Sequence, residues 1–113
     1  MVLIYNSTPI ANEISYAKNI FSQMLGLMLH KSIPWDFALI FVLKRPCTVR
    51  IHMLFMLFTI DVIFLDENKK ILGTAILKPW TGHKRMKGVK YIIEMTRGTV
   101  ERFNLIPGEQ LTF

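Results

Sequence analysis

A chain of 113 residues with 51% apolar and 19% charged residues has the material for one hydrophobic core and is too apolar for a disordered segment. Its longest apolar stretch, 53–65, falls short of the ~20 residues a membrane helix needs and is interrupted by Asp61. No signal segment is recognisable, so the chain reads as one cytoplasmic domain, 1–113, and its net charge of +6 favours anionic partners.

Taken in chain order, residues 2–5 are β-prone, 6–9 carry turn chemistry, and 10–14 can return as the second strand of a hairpin. Ala17, Ile20, Phe21, Met24 and Leu25 form an apolar stripe at helical period, which predicts a helix over 16–25 with Ser15 as N-cap and Gly26 just past its end. Residues 30–36 read as a loop around Pro34. The run 38–43 is a continuous apolar strand suited to the middle of a sheet, and Lys44, Arg45 and Pro46 break it. Cys47, Val49, Ile51 and Met53 then alternate with Thr48, Arg50 and His52, the pattern of a half-exposed strand. The lone Cys47 excludes an internal disulfide and reads as a small buried hydrophobe at the start of that strand.

Residues 62–72 read as a β-hairpin turning at 66–69, with Gly73 a candidate bulge and 75–77 its continuation. Residues 79–88 read as a loop and 89–95 as a strand. A turn at Arg97 and Gly98 is followed by a short strand or helical turn at 100–103. Residues 106–109 suit a type II turn, and 111–113 a terminal strand. The expected fold is α+β and predominantly antiparallel. It has about seven or eight short strands in a closed or half-closed barrel-like sheet, with the helix at 16–25 against it.

No phosphate-binding glycine loop or nucleophile motif is present, and the spacing of the histidines at 30, 52 and 83 neither supports nor excludes a metal site. No metal or cofactor is implied, and the reading favours a binding domain over an enzyme. Asp61 stands out because a carboxylate inside the most apolar segment costs several kcal/mol unless paired or hydrogen-bonded. It either accepts backbone N–H groups, pairs with a cation such as Arg50, or lines a pocket. Glu94, inside the apolar strand, is a second carboxylate whose face the alternation leaves open. Trp35 and Trp80 are either core-capping aromatics or exposed stacking platforms.

Gly26-Leu27-Met28, the strand 38–43, His52-Met53, the run Ile60-Asp61-Val62-Ile63-Phe64-Leu65-Asp66, Ile93-Glu94-Met95 with Gly98, and Gly108 together resemble, in this order, the family called domain of unknown function 192. The resemblance covers nearly the whole chain and implies a small β-rich domain; that family implies no mechanism. The chain departs from the usual Met-Lys-Asn-Thr pattern at 53–59, which reads Met-Leu-Phe-Met-Leu-Phe-Thr.

Three functions follow from these residues. The first is a cleft for a small polar or anionic ligand near the segment 52–66, using Arg50, His52, Asp61, Trp80 and Glu94. The second is nucleic-acid binding through the basic segment 84–90, using Lys84, Arg85, Lys87 and Lys90 with Trp80 and Tyr91 nearby. The third is acid–base chemistry by Asp61 with His52, which requires the two within hydrogen-bond reach. An oligomeric state is not legible.

Overall fold

Strand β5, Ile60–Leu65, is buried at every position and occupies the heart of the fold. β-Branched and aromatic side chains dominate it, as a strand covered on both faces requires. The structure is a computed structural model and describes residues 2–17, 37–53 and 58–113. In chain order the described elements are β1 (Leu3–Tyr5), β2 (Thr8–Ala11), β3 (Glu13–Ala17), β4 (Phe37–His52), β5, β6 (Ile71–Leu77), β7 (His83–Thr96), helix α1 (Thr99–Phe103) and β8 (Leu111–Thr112).

They form two sheets, one of three strands in the order β2-β1-β8 and one of five in the order β3-β4-β7-β5-β6. The strands are mostly antiparallel, and the large sheet is half-closed. Among the described residues only the β3–β4 ladder is parallel. Both expected hairpins form. β1 pairs with β2, which begins at Thr8 and ends at Ala11, while Ile14 belongs to β3. β5 pairs with β6 around a turn in which Asp66 Oδ1 accepts the N–H of Asn68 at 2.8 Å and of Lys70 at 3.0 Å. The bulge expected at Gly73 appears as a register shift: Phe64 faces Gly73 and Leu65 faces Ile71, leaving Leu72 extra. Gly108 takes φ 93°, as the third position of the type II turn demands.

Several expectations change. Tyr16 and Ala17 are strand residues of β3, held by parallel pairing to Ile40 and Phe41. The remainder of the helix expected over 16–25, like Trp35 and His30, lies outside the described residues. Lys44, Arg45 and Pro46 do not end their strand. β4 runs through them, and the extra residues are taken up as an irregularity between Val42 and Cys47. The ammonium of Lys90 donates to the Leu43 carbonyl at that irregularity and satisfies a backbone group the ladder cannot. Cys47 emerges from this bulge exposed, not buried. The expected loop over 79–88 shrinks to the connection before His83, because β7 begins there. Residues 100–103 belong to α1, a helical turn.

Each face of the large sheet is covered differently. One face carries Ala38, Ile40, Ile63, Leu65, Ile93 and Met95, and the small sheet and α1 close it through Leu3, Ile10, Leu105 and Leu111. The other carries Leu39, Phe41, Val62, Phe64 and Ile92, and the far ends of β4 and β7 fold back over it. Met53, next to the end of β4, joins the same buried cluster as Ile60 and Leu77. The Met86 methyl of β7 lies where a Cβ on Gly73 of β6 would sit, at 2.6 Å, so glycine makes that closure possible. The short loop before β7 is tied to β4 by Met53 N–H to the Gly82 carbonyl (3.0 Å) and Trp80 N–H to the Met53 carbonyl (2.8 Å).

Candidate functional site

The β4–β7 ladder has two parts. From Ala38 to Val42 it is flanked by β3 and β5. From 47 to 52 of β4, paired with 83 to 89 of β7, the two strands pair only with each other among the described residues and form a ribbon. Period-2 alternation sorts its side chains. Val49, Ile51 and Met86 turn inward and pack on the core, whereas Thr48, Arg50, His83, Arg85 and Lys87 are exposed. Gly88 takes φ 71° and sits in the bulge between the pairs Cys47–Val89 and Val49–Met86, a conformation that admits a side chain only with strain.

Register places Arg50 directly opposite Arg85 and His52 opposite His83. Lys44 and Arg45 are exposed at the bulged end of the ribbon. Residues 42–53 and 78–93 together hold eight Lys/Arg and no Asp/Glu, whereas the rest of the chain carries six Lys/Arg against eight Asp/Glu. The fold therefore concentrates positive charge in and around the β4–β7 ribbon.

Of the four basic residues expected to bind nucleic acid, only Arg85 and Lys87 lie on this outer face. Lys84 pairs with Ile51 on the inner side and is half-buried, and Lys90 is committed to the Leu43 carbonyl. Tyr91 is no stacking platform either, because it packs edge-on against Phe113 with ring centroids 5.2 Å apart. Trp80 is 51% exposed, a surface residue and not a cap on the core. Arg50, read as a pocket residue, shares the outer face with Arg85 and Lys87, and Lys44 and Arg45, read as a strand break, are exposed at the bulged end of the same ribbon. The signal for that grouping is the pairing of β4 with β7, and it is not local in sequence.

The two carboxylates do not converge on one cleft. Asp61 pairs with Met95 and Glu94 pairs with Val62, so on neighbouring strands they project from opposite faces of the sheet. Asp61 is fully buried, and its Oδ2 accepts the N–H of Val100 at 2.9 Å. Placing a carboxylate against the first turn of α1 satisfies an unpaired backbone donor and suits the helix dipole. Of the readings open for Asp61, backbone acceptance is the one found; Arg50 is exposed on the ribbon. Oδ1 is buried without a hydrogen-bond partner. Glu94 turns inward, beside Leu39 and Val62, and burial pushes its carboxyl up from 4.5 to about 7.

The family DUF192, described as Uncharacterized ACR, matches residues 3–113. The chain belongs to this family. Its function is unknown. A UPF0127 protein of Pyrococcus furiosus, PF1050, is 35% identical over 113 residues, 98% of this chain and 95% of that protein. PH1112 of Pyrococcus horikoshii, also a UPF0127 protein, is 38% identical over 91 residues, 79% of this chain and 76% of that one. Two crystal structures share the fold. One, from Sinorhizobium meliloti 1021 and named a "putative transcription regulator" (R01717), has a TM-score of 0.81 at 20% identity and covers 98% of this chain and 89% of its own. The other, a protein of unknown function from Novosphingobium aromaticivorans, has a TM-score of 0.80 at 16% identity, with 99% and 82% covered. At those identities the likeness shows the architecture of the DUF192 domain and nothing of its activity. Among the described residues no helix is long and apolar enough to cross a membrane.

Proposed function

We propose that this DUF192 domain binds nucleic acid in the cytoplasm through the outer face of the β4–β7 ribbon. The observation that supports it is the cross-strand pair Arg50–Arg85, with Lys87 on the same face, Lys44 and Arg45 exposed at the bulged end, and no acidic residue within the ribbon. Like charges directly opposite on a ladder work against the fold. An arrangement that costs stability and gathers the positive charge on one exposed element suits a polyanionic partner. The regulator name carried by the S. meliloti protein agrees with this reading but does not carry it.

The cleft reading has less support. Arg50 is on the outer face of the ribbon, Trp80 is on an exposed loop, Glu94 is inside the half-barrel and Asp61 is on the opposite face against α1. Acid–base chemistry by Asp61 is supported least, since one of its oxygens is already engaged by the Val100 N–H.

Fluorescence anisotropy of labelled oligonucleotides across a salt series tests the proposal. If about four phosphates are neutralised, affinity falls ~100-fold between 50 and 200 mM salt, because each contact releases condensed counterions. Replacing Arg85 and Lys87 with Thr flattens that dependence. No binding at 50 mM salt, or binding indifferent to salt, contradicts it.

A further inference from the structure

Given that the ribbon binds nucleic acid, we infer that its partner is B-form duplex DNA. The outer face enters the major groove, Arg50 and Arg85 reach base edges, and Lys44, Arg45 and Lys87 hold the flanking phosphates.

Three observations of the ribbon's shape lead there. The ribbon is a pair of antiparallel strands without flanking strands among the described residues, and a B-form major groove ~12 Å wide admits such a pair. Its seven residues on β7, 83–89, extend over roughly 20 Å at the rise of a twisted strand, enough to follow the groove across several base pairs. The Gly88 bulge adds right-handed twist to the ribbon, which lets it track a helical groove instead of lying flat across it.

The exposed side chains then discriminate among nucleic acids. Thr48, Arg50, His83, Arg85 and Lys87 include no Phe, Tyr or Trp, so this face offers unstacked bases only the His83 imidazole and guanidinium planes in place of the row of aromatic platforms that single-strand binders use. The deep, narrow major groove of A-form RNA does not admit a ribbon. Arginine forms paired hydrogen bonds to O6 and N7 of guanine, and two arginines opposite each other at the middle of the ribbon are the residues best placed to do so. Lys87 next to the Gly88 bulge and the exposed Lys44 and Arg45 are point or fork charges at the rim, where phosphates lie.

The test is a competition measurement with the full chain against four probes of equal length: duplex DNA containing G·C pairs, the same duplex with 7-deazaguanine, duplex RNA and single-stranded DNA. The expected result is binding to the unmodified duplex about tenfold or more tighter than to RNA or single strands, as loss of the groove fit implies. A similar loss is expected with 7-deazaguanine, at an unchanged salt slope, because N7 is removed and no phosphate is. A variant with Arg50→Lys and Arg85→Lys keeps the charge and no longer distinguishes the two duplexes. Equal binding of all four probes, or indifference to 7-deazaguanine, overturns the duplex inference while leaving the ribbon a nucleic-acid surface. Binding to none overturns both.

Discussion

The same two strands, β4 and β7, behave differently at their two ends. Around Leu39, Ile40 and Ile93 they lie between β3 and β5, with apolar side chains on both faces and almost no exposure. Beyond Cys47 and Val89 the outer face of the ladder turns to arginine and lysine, although the inner face stays apolar through Val49, Ile51 and Met86. One end is arranged for stability. The other holds like charges opposite each other and gives some stability up.

Substitutions at the stable end should therefore cost folding energy, and those on the outer ribbon should not. Phe64→Ala, at a fully buried position of β5, should lower unfolding free energy by about 3–5 kcal/mol through lost burial and an unfilled cavity, measured by urea denaturation. A loss below 1 kcal/mol would mean that the core is not packed as described.

Glu94 makes the stable end pH-dependent. Its folded-state carboxyl titrates at about 7 instead of 4.5, so between those values the folded protein holds a proton that the unfolded chain has released. Stability is greatest at and below pH 4.5 as far as this group is concerned, and falls as pH rises through 7, by about 3 kcal/mol in total. Glu94→Gln should remove that slope between pH 5 and pH 8, leaving the variant the more stable of the two at pH 8. Parallel pH profiles for the two proteins would refute the assignment.

Asp61→Ala leaves the part-buried Val100 N–H without its acceptor and should cost about 1–3 kcal/mol, with amide exchange accelerated at Val100 and Arg102 before the sheet is affected. Asp61→Asn keeps an acceptor oxygen and should cost less. An unchanged melting temperature for Asp61→Ala would show that α1 does not depend on the carboxylate.

The stable end was largely legible in the sequence because its signals are local. The apolar run of β5, the Asp66 turn and the return along β6 follow from composition, alternation and turn chemistry within a few residues. The ribbon was half legible. Cys47 to Met53 alternates visibly, but its partner strand at 83–89 has Met86 as its main apolar marker among lysines, an arginine and a glycine, so composition suggests a loop. Pairing with β4 makes it a strand. Asp61 could be recognised as costly, yet its partner lies 39 residues further on, and nothing local announces that contact. The face taken by Glu94 depends on which side of the sheet the ribbon covers. That is a property of the folded chain and not of the alternation around it.

The smallest stability effect carries the most information. The double variant Arg50→Thr, Arg85→Thr removes the opposed guanidinium groups at exposed positions, so its melting temperature should equal or slightly exceed that of the parent, a change within about 0.5 kcal/mol. Measured side by side on the same preparations, its affinity for duplex DNA at 50 mM salt should fall tenfold or more. Unchanged DNA affinity in a folded variant would contradict the assignment of the ribbon as the binding face.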